Sequence, residues 1–287
     1  MIIITGATGQ LGRRIVESLL TRVPAGQVGV SVRDPQKAKA LADQGVRVRQ
    51  GSFTDARGLA HAFEGASQVL IVSVDKMGEE CVSQHRTAID AAVAAGARRI
   101  LYTSQMGASA TSRFEACRDH AATEDALRAG GVPFTSLRNG FYAASGAHFL
   151  GHALDSGRLE LPADGPVAWT AHDDLADAAA AVLADEGRFE GPTPPLTAGG
   201  TLTFEEIAAV ASEVTGRTMT RTVVRDDDFR DQLVGQGLPL ERADQLLGIF
   251  AAARAGEFSA VDPTLATLIG REPRTMADVL REQLSKS

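Results

Sequence analysis

Hydrophobic positions along the chain follow two alternating rhythms, and the alternation predicts the elements. Residues 1–5 (MIIIT) form an apolar run, after which Leu11, Ile15, Leu19 and Leu20 recur at the spacing of a helix face. The exchange then repeats. Apolar or alternating runs over 27–32, 46–50, 68–74, 99–104 and 133–138 read as strands. Between them lie helices over 37–43, up to Phe63, 81–95 and 114–129, with Thr54 or Asp55 suited to cap the one that ends at Phe63. The run 68–74 is almost uniformly apolar, as a parallel strand covered on both faces must be. Strands alternating with helices in this way predict an α/β fold, a Rossmann-type doubly wound parallel sheet in the order 3-2-1-4-5-6.

Past Asn139 the rhythm loosens. A helix over 141–155 leads to Gly157, a Pro- and Gly-rich stretch over 161–166 and the short apolar run 167–169. Asp173 or Asp174 stands where an N-cap is wanted for an alanine-rich helix to Asp185, which makes these aspartates structural. A loop over 192–200 carries one short strand near Leu196, and Thr203 with Glu206 forms a capping-box start for a helix to Thr215. The remainder reads as helical, punctuated by Gly235, Gly237, Pro239, Gly256 and Gly270. Residues 1–155 are therefore expected to form a nucleotide-binding Rossmann domain. Residues 156–287 form a smaller, mostly helical lobe, interleaved with the first and lying over the carboxyl edge of its sheet.

Composition narrows the partners. A chain of 287 residues with 44% hydrophobic positions can bury a sizeable core, while a formal charge of -7 gives no basic footprint for nucleic acid or an anionic membrane surface. No apolar run reaches a membrane span and no basic segment precedes the first strand, so a cytoplasmic location is expected. Cys81 and Cys117 belong to no CxxC or Cys/His cluster, which points to reduced thiols and no metal site. A homodimer is left open.

Candidate chemistry gathers at the strand ends. Gly6-Ala7-Thr8-Gly9-Gln10-Leu11-Gly12 follows the first strand at once and opens a helix, the arrangement of a phosphate cradle, although its G-x-x-G-x-x-G spacing differs from G-x-G-x-x-G. Arg33 ends the second strand, where an arginine suits the 2′-phosphate of NADP(H) and an acid would suit the ribose of NAD(H); Arg33 therefore argues for NADP(H) over NAD(H), with Asp34 beside it keeping the other reading in view. The carboxyl-end rule also nominates Ser52-Phe53, Ser73-Val74, Thr103-Ser104-Gln105 and Asn139-Gly140-Phe141-Tyr142. Phe141, Tyr142 and Phe149 offer an apolar lining for a flat ring. Neither tyrosine has a lysine one helical turn later: Met106 follows Tyr102 and Gly146 follows Tyr142. Tyrosinate-assisted carbonyl chemistry is thereby disfavoured, which leaves hydride transfer to an acceptor electron-poor enough to need little protonation, such as a quinone. His120 and Glu124, one turn apart, are candidates for an acid near that ring; a surface ion pair is the competing reading.

Several segments together resemble the NmrA-like atypical short-chain dehydrogenase/reductases, especially their bacterial NADPH-dependent quinone oxidoreductase branch. They are 6–12, Tyr102-Thr103-Ser104, 120–127 (HAATEDAL), Leu137-Arg138-Asn139-Gly140-Phe141-Tyr142, Asp174-Leu175-Ala176, 202–208 and Gly270-Arg271-Glu272-Pro273-Arg274-Thr275. The resemblance implies NADPH bound across Gly6 to Gly12, Arg33, Ser73-Val74 and the loop from Asn139 to Ala143. The acceptor, a quinone or similar aromatic molecule, would enter between sheet and lobe. Triphenylmethane-dye reductases and NAD(P)-sensing regulators of the same group are the alternatives it brings. Residues 112–118 match no segment of the family.

Overall fold

A computed structural model describes residues 1–151 and 153–285. The apolar N-terminal run becomes β1 (Ile2–Thr5), buried at all four positions and paired in parallel with a strand on each side. Behind it comes α1 (Gln10–Leu20), whose Leu11, Ile15, Val16 and Leu19 face the sheet. Then follow β2 (Val28–Val32), α2 (Lys39–Asp43), β3 (Arg47–Gln50), α3 (Ala56–Phe63), β4 (Gln68–Ile71), α4 (Gly78–Ala94), β5 (Arg99–Gln105), α5 (Glu115–Ala129) and β6 (Phe134–Asn139). Asp55 caps α3 by accepting the Gly58 N–H at 3.1 Å.

Beyond β6 lie β7 (Phe141–Tyr142), α6 (Ala143–Leu150), α7 (Ala153–Ser156), β8 (Arg158–Pro162), β9 (Trp169–Thr170), α8 (His172–Ala184) and β10 (Gly191–Pro192). The chain closes with α9 (Phe204–Thr215), β11 (Thr220–Val224), α10 (Asp226–Gly235), α11 (Leu240–Arg254), α12 (Thr264–Ile269) and α13 (Met276–Leu284). The main sheet runs 3-2-1-4-5-6 as anticipated, and β10 adds a seventh parallel strand beside β6. One face carries α1, α8 and α12, and the other carries α3, α4 and α5. A third core beneath the lobe carries a cluster of aromatic rings that includes Phe141, Trp169, Phe204, Phe250 and Phe258.

Four local expectations are corrected. The fourth strand leaves the ladder at Ile71 and does not reach Val74, because the next three N–H groups bond to side chains. The helix expected over 141–155 is broken: Phe141 and Tyr142 pair with β9, and Gly151 takes φ +23°. β8 and β11 form a parallel pair where a loop and a helix were expected; Arg158-Leu159-Glu160-Leu161 of β8 does alternate exposed and buried, but the run is only four residues long before Pro162, and β11 is mostly exposed. Neither Asp173 nor Asp174 is an N-cap. Ala171 is, without a side-chain bond, and the aspartates in the first turn reach arginines instead. Asp174 is fully buried against Arg271 at 2.6 Å, and Asp173 pairs with Arg14 at 2.6 Å and with Arg274.

Candidate functional site

The glycine turn is shaped by contacts that only glycine permits. Gly6 sits at φ +62°, a left-handed conformation, and its carbonyl accepts the Gly9 N–H at 2.9 Å to close the turn. A Cβ at Gly12 would overlap that same carbonyl oxygen, so Gly12 is what lets α1 start this close to the strand end. The first turn of α1 has no side-chain cap and no acidic residue, and its first helical hydrogen bond is Arg13 N–H to Gly9. The N–H groups of Gln10, Leu11 and Gly12 are thus left open, as an anion site requires. The contrast with α9 and α13 is direct, since both carry complete capping boxes. This start suits a diphosphate.

Arg33 lies exposed just beyond β2, and its carbonyl accepts from Gln50 Nε2 at 3.2 Å, which fixes the backbone and leaves the guanidinium free to project. Asp34 is spent differently. Its carboxylate accepts the Gln36 N–H at 3.0 Å and caps the short 3-10 turn over 35–38. The arginine is the side chain offered at this strand end.

At the centre of the edge, the segment after β4 is tied down by three elements. Val72 N–H donates to Thr5 Oγ1 (2.9 Å), Ser73 N–H to Thr103 Oγ1 (2.8 Å) and Val74 N–H to His85 Nε2 (3.1 Å). Thr103 was nominated from the sequence, but Thr5 and His85 were missed. The available signal was a polar residue closing a buried strand at Thr5, as at Thr103, and a histidine in register with Cys81, Ala88 and Ala92 on the buried face of α4.

His120 comes to this edge from α5. Its Nδ1 lies 2.6 Å from the Tyr102 hydroxyl, its ring is half-buried, and burial pushes its pKa down to about 4. Its expected partner is elsewhere. Glu124 is fully buried, accepts from Ser104 (2.8 Å) and Ser136 (2.9 Å), and pairs with Arg138 at 2.7 Å. Burial alone pushes the Glu124 carboxyl up, but the bonds from Arg138 and Ser104 outweigh it and hold the group below its ordinary value. Neither residue is therefore a protonated acid at neutral pH, and the surface ion pair is equally absent. Ser104, expected near the cofactor, spends its hydroxyl on Glu124.

The last nominated loop closes the far side. The Asn139 carbonyl accepts the Met106 N–H (2.8 Å), and its side chain is buried against Tyr142 with Oδ1 lacking a partner. Gly140 fits because a Cβ would overlap Thr170 Oγ1. Phe141 stacks among Trp169, Phe114 and Phe258, Tyr142 lies over His172 with ring centres 4.3 Å apart, and Ala143 is buried at the start of α6. Phe149 is not with them. It packs on Phe204 and Phe250 in the lobe core, so it lines no site. A separate cleft of about 450 Å³ opens where Arg113, Glu115 and Arg118 face Leu240, Glu241 and Asp244 of α11. The adjoining 112–113 segment is pinned to the lobe through Glu257. Among the described residues, no three His, Cys, Asp or Glu side chains are grouped to hold a metal ion.

Comparison with known proteins agrees with this geometry. A family model described as the NmrA-like family matches residues 1–277. Quinone oxidoreductase 2 of Escherichia coli (strain K12) is 37% identical, over 97% of this chain and 96% of its own length. The crystal structure of an NADPH-dependent quinone oxidoreductase from Escherichia coli complexed with NADPH matches with a TM-score of 0.92 at 37% identity, covering 99% of this chain and 100% of that one. The Citrobacter sp. triphenylmethane reductase complexed with NADP(H) matches with a TM-score of 0.88 at 34% identity, covering 99% of each chain.

Proposed function

The chain belongs to the NmrA-like family, and from that premise we propose an NADPH-dependent oxidoreductase that passes hydride to quinones or similarly conjugated, electron-poor acceptors. The observation that carries the cofactor choice is the end of β2, where Arg33 projects freely while the neighbouring carboxylate of Asp34 is consumed as a cap. NADPH, when bound, supplies the hydride. The turn from Gly6 to Gly12 would hold its diphosphate, Arg33 its 2′-phosphate, and Ser73, Val74 and residues 139–143 the remainder of the molecule. The full-length likeness to a quinone oxidoreductase and to a triphenylmethane reductase supports a flat conjugated acceptor. The absence of a tyrosine–lysine pair supports one that needs little acid help.

The same reading takes residues 1–155 as the nucleotide-binding part and 156–287 as the lobe that covers it, interleaved because α8 and β10 return to the main sheet. No helix among the described residues is long and apolar enough to cross a membrane. A cytoplasmic homodimer acting on a freely diffusing acceptor completes the proposal.

The test is to mix the purified protein with NADPH and, separately, a benzoquinone, a naphthoquinone and a triphenylmethane dye, and to follow reduced-nicotinamide absorbance. Protein-dependent oxidation with at least one quinone is expected. Tight NADPH binding without turnover on any acceptor would replace the enzyme by a sensor of NADP(H) state.

A further inference from the structure

The polar groups beneath the Tyr102–His120 contact form one connected hydrogen-bond network. It begins at the backbone, where Val74 N–H donates to His85 Nε2 (3.1 Å). A nitrogen that accepts carries a lone pair, so neutral His85 keeps its proton on Nδ1. That Nδ1 lies 3.0 Å from Thr123 Oγ1 and 3.4 Å from the Tyr102 hydroxyl. Thr123 sends its own hydrogen to the Asp119 carbonyl (2.8 Å), and its oxygen is left to receive from His85. The Tyr102 hydroxyl also meets Ser73 and Thr123, but its short 2.6 Å contact is with His120 Nδ1, and we place its hydrogen there. By the same rule His120, accepting at Nδ1, holds its proton on Nε2. No hydrogen bond to that nitrogen is found among the described residues, it is not among the buried unpartnered atoms, and the residue is half-buried.

We propose that His85, Thr123 and Tyr102 lock His120 in its Nε2–H tautomer, so that it serves as a neutral hydrogen-bond donor to the oxygen that gains charge as the acceptor is reduced. The tautomer stands on geometry alone; the donor role rests on the reductase reading. The acceptor takes two electrons and one proton as hydride and is left a monoanion. His120 bonds the oxygen through Nε2–H and keeps its proton, because giving it up would leave an imidazolate beside a buried tyrosine. Water supplies the second proton as product leaves. A donor aimed in advance at developing charge stabilises the transition state more than the ground state. Tyr102 and His85 touch no substrate and act as positioning residues.

The test is nitrogen-15 spectroscopy of the full chain labelled at its 6 histidines, with His120→Gln and His85→Gln used only to assign signals. The expected result is protonation at Nε2 in His120 and at Nδ1 in His85. A His120 proton on Nδ1, or one averaged over both nitrogens, overturns the lock. Tyr102→Phe is expected to release His120 to a tautomer mixture and to lower kcat for a benzoquinone roughly tenfold, with the Kd for NADPH unchanged. Wild-type kcat in that variant overturns the donor role. If the wild-type protein turns over no acceptor, the reductase reading and the donor role fall together, and the spectra still decide the tautomer.

Discussion

Arg33 and Asp34 stand side by side beyond β2, yet their side chains have different employment. The carboxylate is used within its own turn and the guanidinium is not, so the strand end presents positive charge. Arg33→Ala should weaken NADPH binding by on the order of ten- to a hundredfold, the worth of a charge-assisted contact to phosphate, and barely affect NADH. Calorimetric titration with both nucleotides checks this; equal loss for the two would remove Arg33 from the 2′-phosphate. The sequence favoured Arg33 and NADP(H), but how Asp34 is employed was not legible, because whether it caps depends on the backbone turning at Pro35 to bring the Gln36 N–H within reach.

Among the elements, α5 shows most clearly what sequence spacing conceals. Its His120 and Glu124 share a face, which offered an acid near the ring or an ion pair between them, but the two reach different partners: His120 meets Tyr102 of β5, and Glu124 is drawn into a buried polar seat. Glu124 is received by Ser104 of β5 and by Ser136 and Arg138 of β6, and this seat sets how α5 lies on the sheet. Glu124→Gln leaves Arg138 without its charge partner and should destabilise the protein by about 3 kcal/mol, read as a lowered urea midpoint at constant slope. An unchanged midpoint would mean that the pair is dispensable. The main strands were legible because buried parallel strands write unbroken apolar runs, and α1 because its apolar stripe is strict. β8, β9 and β11 were not, since β9 is two residues long, the alternation of β8 stops after four, and β11 is mostly exposed. Nor could spacing reveal that Tyr102, lacking a lysine, had acquired a histidine from another element.

The whole molecule is held closed around α8, whose aspartates gather Arg14 from the first helix and Arg271 and Arg274 from the C-terminal segment. The terminal Gly-Arg-Glu-Pro-Arg-Thr stretch thus joins the last part of the chain to the helix beside α1. The same compactness buries three imidazoles: burial lowers the pKa of His85 to about 3 and those of His120 and His172 to about 4, against 6.5 when unfolded. Between those values the unfolded chain binds more protons than the folded one. Stability should therefore be full above pH 6.5 and fall as pH drops toward 4, by up to about 1.4 kcal/mol per pH unit for each proton taken up. Asp119 and Asp174, raised by burial, act in the opposite sense and nearer the carboxylate range. Thermal melts from pH 7.5 to 5 test the balance, and a flat Tm across that range would show that these histidines are not buried neutral.

Residues 72–74 belong to no strand or helix, yet each of their amides is already held by Thr5, Thr103 or His85. A loop fixed in this way has surrendered its conformational entropy during folding, at roughly 1–2 kcal/mol per residue. A nucleotide that settles against it has little further ordering to impose there, and more of the contact energy is left to appear as affinity.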